Sequence, residues 1–241
     1  MAYNYLDLVN TINRRFNEVE LTSSNFASAK GFYSHAKDAI NNAIQDINQE
    51  EFEWPFNHCR DEIILTAGET RYAYPNDAKT IDFDSFRIKE DSTLDNDTSK
   101  LKIMSYEEYL EQYVDQEYTS DTSVRDLPTY VFRAPGLEFG LVSCPDKAYT
   151  LVYEYYRNAV DLVNYDDVPD IPETFKHVII EGGMYYTYMF RSNEQAATLS
   201  KQKFEQGIKN MRVICINRYD YVRSKMIQQQ RRYVVGPRLA S

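Results

Sequence analysis

Three histidines, three cysteines and a few paired acids are the side chains in this sequence whose type and spacing bear on chemistry. His58 stands directly before Cys59, the composition of a nucleophile and its base. Consecutive residues of a strand point to opposite faces, however, and such a pair needs an alignment in space that adjacency does not supply. His35, near Lys37 and Asp38, and His177 share no His-x-x-x-His or His-Glu-x-x-His spacing, so no zinc site is expected. Among the acids, Asp95-x-Asp97 lacks the glycine and distal glutamate of a calcium loop. Together with Glu107-Glu108 and Asp166-Asp167, it is expected to be solvated charge. No glycine-rich phosphate loop occurs, and eight glycines in the whole chain leave little room for an unconventional one. The expectation is therefore a non-enzyme with no catalytic residue, no cofactor and no metal. Cys59, Cys144 and Cys215 form no Cys-x-x-Cys pair, which disfavours a disulfide framework and points to maturation in a reducing cytosol.

The distribution of charge is more informative than its total. Between Arg218 and the C-terminus, six basic residues (Arg218, Arg223, Lys225, Arg231, Arg232, Arg238) face the single acid Asp220, so that segment carries +5 and the rest of a chain of net −10 carries −15. An acidic body repels nucleic-acid phosphates, whereas a cationic tail suits an acidic partner surface or phosphates. Twenty-one tyrosines against one tryptophan supply rigid side chains with an apolar body and a polar tip, suited to strands and to surfaces buried on assembly. The longest apolar-leaning window, residues 178–190, is interrupted by Glu181 and two glycines and is shorter than the roughly 20 residues of a bilayer helix. No membrane partner is expected.

The elements that would hold these residues follow from hydrophobic period. Residues 4–19 have helical spacing through Leu6, Val9, Ile12, Arg15 or Phe16, and Val19. Residues 25–48 place Phe26, Ala29, Tyr33, Ala36, Ile40, Ala43, Ile44 and Ile47 on one face. Phe52, Trp54, Pro55 and Phe56 stop that helix and offer an aromatic plug. A strand period follows. Residues 63–66 and 71–74 flank Ala67-Gly68-Glu69-Thr70 as a hairpin, and residues 81–89 alternate in two phases with a bulge near Asp84-Ser85. Residues 90–99 are a polar loop before a strand at 100–104. Ser105-x-x-Glu108 is a capping box opening a helix to about residue 117, with Tyr109, Leu110 and Tyr113 inward, that crosses over the sheet. Ala134-Pro135-Gly136 marks a hairpin between 129–133 and 137–143, and residues 148–156 form a strand with both faces covered. An acidic, proline-punctuated loop precedes a helix at 174–191, where Gly182-Gly183 permits close packing. After a break at Ser192-Asn193, a long helix runs from 194 to about 228.

Ala29-Lys30-x-x-Tyr33 with Ala39-Ile40-x-x-Ala43, the Trp54-Pro55-Phe56 stop, and Asp167-Val168-Pro169-Asp170-Ile171-Pro172-Glu173-x-Phe175 leading into Ile179-Ile180-Glu181-Gly182-Gly183 give this chain its family resemblance. It resembles the head-to-tail adaptors of short-tailed bacteriophages, also called tail tubular protein A or portal adaptors. The resemblance implies an α+β fold in which two N-terminal and two long C-terminal helices form a helical bundle core around a β-rich insertion. The expected divisions are 1–60 and 161–227 for the helices, 61–160 for the insertion with one short helix, and 228–241 for an extended basic tail. It further implies a homo-oligomeric ring, expected to be a dodecamer, at the head-tail junction of a virion. The portal protein lies on one side, the tail nozzle and possible tail fibres on the other, and genomic DNA passes through the lumen without sequence-specific binding. The residues expected to bind the portal are Arg218, Arg223, Lys225, Arg231, Arg232, Tyr233 and Arg238, since Pro237 ends any helix and the run before it mixes apolar and cationic groups. A neck or tail-completion protein of a long-tailed phage fits the same features. So does a nucleic-acid-binding module using the Arg/Tyr tail.

Overall fold

A computed structural model describes residues 3–89, 98–118 and 121–216, and the chain is α+β. Four helices, α1 (Tyr5–Arg15), α2 (Phe32–Glu50), α5 (Lys176–Phe190) and α6 (Glu194–Cys215), share one apolar core that includes Leu8, Ile12, Ile40, Ile47, Val178, Ile179, Phe204 and Ile208. Close approach is built in by glycine. A Cβ at Gly182 would lie 2.7 Å from the Ala43 Cβ and 2.7 Å from a Phe204 ring carbon, and one at Gly183 would lie 2.7 Å from the Ile12 Cδ1. The expected role of the Gly182-Gly183 pair is therefore observed.

Several boundaries differ from expectation, each for a local reason. The first helix ends at Arg15, four residues short of residue 19. Asn17 takes φ 56°, its N–H donates to the Arg14 carbonyl, and the Glu18 N–H donates to that of Asn13, the paired bonds of a Schellman cap. The second helix begins at Phe32, not at 25. Gly31, at φ 63° and ψ −127°, holds a backbone conformation that terminates the helix, and the preceding turn sends Phe26 into the core, 5.1 Å from the Tyr5 ring. The last helix ends at Cys215 with Ile216 extended, and residues 217–228 of the expected helix lie outside the described residues. Val213 and Ile214 are 80% and 70% exposed there, so a β-branched run gains neither propensity nor burial from staying helical. At 22 residues the helix is about 33 Å long.

The β part contains two four-stranded sheets. One has the order β1 (His58–Ile64), β8 (Thr150–Arg157), β3 (Ala78–Lys89), β4 (Thr98–Lys100). The other runs β2 (Arg71–Ala73), β7 (Glu138–Val142), β6 (Tyr130–Ala134), β5 (Lys102–Met104). Phe86, Leu151 and Tyr153 of the first sheet meet Val131, Phe139 and Leu141 of the second in one core. The expected hairpin over 63–74 is not formed. β1 pairs with β8 and β2 with β7, so the Gly68 turn carries the chain from one sheet to the other, tied by Leu65 N–H to the Tyr149 carbonyl and Gly68 N–H to the Pro145 carbonyl. Likewise the strand expected at 100–104 is divided at buried Leu101, whose N–H donates to the Phe86 carbonyl, between β4 in one sheet and β5 in the other. The hairpin at Ala134-Pro135-Gly136 and the β3 irregularity between Asp82 and Arg87 are present. The loop expected at 90–99 lies outside the described residues from 90 to 97.

Parallel β5 and β6 are joined through α3 (Tyr106–Gln112) and α4 (Asp115–Tyr118), the expected crossover broken in two at Tyr113. Ser105 accepts from the Glu108 N–H at 3.2 Å, and Tyr109 is buried on Phe132, but Leu110 is 43% exposed and does not face inward as expected. Glu117 fastens α4 to β2. Arg71 donates to both of its carboxylate oxygens and the Thr70 hydroxyl donates at 3.1 Å. Burial raises the Glu117 pKa, but hydrogen bonds led by that from Arg71 outweigh it and leave the carboxyl below its ordinary value. A depressed carboxylate contributes stability that is present above the unfolded pKa of about 4.3 and lost as pH falls through the lower folded value. Between pH 7 and pH 3 the urea midpoint is expected to fall further for the native chain than for Glu117→Gln. Equal falls would remove this carboxylate from the pH response.

Candidate assembly interface

The residues singled out for reactive chemistry are held apart. His58 Nε2 lies 3.0 Å from Glu154 on the exposed face of β1, whereas Cys59 packs toward the sheet core, the opposite-face arrangement expected for strand neighbours. His35 stacks on Phe190 at 4.2 Å, and His177 lies in the first turn of α5. Among the described residues no cluster of three or more His, Cys, Asp or Glu is placed to hold a metal ion. Glu107 and Glu108 occupy the first turn of α3, where the helix N-terminus favours negative charge. Asp95 and Asp97 lie outside the described residues.

Asp167 is not the free solvated charge expected of it. Its Oδ2 accepts from the Val163 and Asn164 N–H groups, each at 2.7 Å, and these bonds hold its pKa below the ordinary carboxylate range. The loop it closes in turn caps α1. The Tyr5 N–H donates to the Asp167 carbonyl at 2.8 Å and the Leu6 N–H to that of Tyr165 at 3.0 Å, satisfying two first-turn donors that a helix cannot satisfy itself. Lys176 pairs with Asp7, and the Tyr3 hydroxyl donates to the Ile171 carbonyl at 2.8 Å. Ile171 and Phe175 are buried in the helical core, with Pro172 opening a single 3-10 turn before α5. The Asp-Val-Pro-Asp-Ile-Pro-Glu motif is thus the buckle between α1 and α5. Sequence showed its packing role but not its capping bonds, which depend on backbone groups 160 residues away.

The same loop bounds a cavity of about 260 Å³ where the helices meet the sheets. Its walls come from α2, from the Phe56-Asn57 turn and from the chain following β8. Arg157 reaches into this lining and its Nη2 donates to Asp170 at 2.6 Å, while its Nε is buried without a hydrogen-bond partner among the described residues. No signal in the sequence announced this cavity, because its walls are assembled from segments far apart in the chain.

Of the predicted portal-binding residues, Arg218, Arg223, Lys225, Arg231, Arg232, Tyr233 and Arg238 all lie outside the described residues. What is described is the point from which they depart. Arg212, in the last turn of α6, donates to the Glu50 carbonyl and lies 3.4 Å from a Glu51 carboxylate oxygen, fixing that end of α6 against the end of α2. Val213 and Ile214 project from the next positions into solvent. No helix among the described residues is long and apolar enough to cross a membrane.

Comparison with known proteins adds one match: a family model described as SU10 adaptor protein covers residues 3–233, taking in all the described helices, both sheets and the first six residues of the basic tail at 228–241. No curated protein matches the chain. Coverage of nearly the whole chain, together with the head-to-tail adaptor resemblance of its motifs, means that this chain belongs to the SU10 adaptor protein family.

Proposed function

We propose that the chain is a structural adaptor of a phage virion that assembles into a ring, dodecameric by its resemblance to the portal adaptors, between the portal and the tail nozzle. The near-complete family match carries this reading. In it, α1, α2, α5 and α6 form the ring-building bundle of residues 1–60 and 161–227, the sheets of residues 61–160 face outward toward the tail, and the basic residues from Arg218 to Arg238, running from the end of that bundle into the tail of residues 228–241, reach the portal. Charge supports the arrangement. Affinity for DNA arises from Lys and Arg contacts that release counterions, so a body of charge −15 lets a duplex slide through a lumen without adhering. The cationic segment is kept for a protein partner, where charge complementarity sets orientation and encounter rate.

Negative-stain microscopy of the purified chain, alone and mixed with its cognate portal, tests the reading. Rings stacked on the portal are expected in the mixture, whatever the oligomeric state of the chain alone. A mixture in which portal particles stay bare would overturn it.

A further inference from the structure

We propose that the cavity at the helix–sheet junction is a docking pocket for the chain's own C-terminal segment, residues 228–241, which occupies it before the subunit meets its partners. The pocket has the chemistry of a receptor for an apolar and cationic peptide. Ile44, Ile47, Phe56 and Ile171 give it apolar walls, and its volume of about 260 Å³ exceeds the roughly 150 Å³ that admits a benzene ring. Val160 and Val168, 62% and 61% exposed, form an uncovered apolar lip. Three acids, Asp161, Asp167 and Asp170, line it as well, and only Asp170 is paired to a cation among the described residues.

The sequence of the segment supplies the complement. Arg231-Arg232-Tyr233-Val234-Val235 offers two cations for the net negative charge of this rim, where Asp161 accepts from Gln45 and Asp167 from backbone N–H groups, and three apolar side chains for the walls and lip. It is also within reach. The described chain leaves at Ile216, and α6 is tied to Glu50, one turn beyond Ile47 of the pocket wall. The intervening residues 217–230 can span up to about 46 Å at roughly 3.3 Å each. A tether of that length gives the segment a high effective concentration at its own pocket, which favours it over the same segment of a second copy. Occupancy would cover the lip and neutralise the rim until a partner draws the tail away. The inference rests on the tail's role as a portal-binding segment only for the purpose of its release.

The full chain carrying a photoreactive benzophenone side chain in place of Val160, prepared as an equal mixture of 15N-labelled and unlabelled protein without any portal, provides the test. Irradiation is expected to join position 160 to residues 228–241 within single-isotope products, and Arg231→Glu with Arg232→Glu should reduce the yield at least tenfold. The same group in place of Leu199, at the other end of α6, should not capture the segment. Mixed-isotope products would assign the pocket to a second copy. Capture of another segment, absence of capture, or persistence in the doubly reversed chain would also overturn the inference. Because no portal is present, failure here leaves the portal reading standing, and a portal that fails to bind leaves the cross-link to be judged independently.

Discussion

Replacing Trp54 with alanine is expected to destabilise the chain by about 3–5 kcal/mol, read as a fall in the urea midpoint with an unchanged slope. The indole is fully buried among α1, α2 and the loop before α5, stacks on Phe56 at 5.3 Å, and donates from Nε1 to the Ile47 carbonyl at 2.7 Å. Truncation leaves a cavity and strands an acceptor at the C-terminal end of α2, the point from which the chain enters β1. Folded domains are stable by only about 5–15 kcal/mol, so the variant approaches the limit of folding. Phe52, from the same aromatic cluster, is 63% exposed and rests against Lys79 at 5.1 Å. Phe52→Ala is expected to cost at most about 1 kcal/mol. Comparable losses for the two would show that the plug does not act through Trp54.

The other large effect concerns binding. A chain ending at Asn217 removes six basic residues and Tyr233 while keeping every described helix and strand. Its thermal midpoint is expected to stay within a few degrees of the native value, and its affinity for the portal to fall by about a hundredfold or more, roughly 2.7 kcal/mol. Reversing Arg231 and Arg232 to glutamate in the full chain should reproduce part of that loss and leave the remaining binding salt-sensitive, since exposed charges are screened over about 10 Å at 0.1 M salt. Unchanged capture of the portal by the truncated chain would remove the tail from the interface.

How much was visible beforehand depended on where each element finds its partners. The amphipathic face of α2 and the apolar run of α5 announce themselves because a helix makes its own hydrogen bonds, and the apolar stripe from Ala36 to Ile47 marks the side that must be buried. Gly68 illustrates the opposite case. A turn glycine between two apolar runs signals a hairpin equally well when the second run leaves for another sheet, and the deciding partners, Tyr149 and Gly140, lie some 70 to 85 residues away. Helix ends were misplaced where a single backbone conformation decides them, at Asn17 and Gly31. The basic tail was legible as charge. The junction cavity was not, since Ile44, Phe56 and Arg157 are unremarkable until the fold brings them together.

The glycine pair of α5 also sets a schedule for synthesis. Ile12 and Ile40 close over Gly183, so the N-terminal helices must wait for about 140 residues to be translated before their apolar faces are covered. At roughly 5–20 residues per second, that interval is on the order of 7–30 s. Strand β1 waits for about 90 residues more before β8 is made. The nascent chain therefore leaves the ribosome with half of its helical core uncovered, and the last helices to be made are the ones that end its exposure to chaperones and to aggregation.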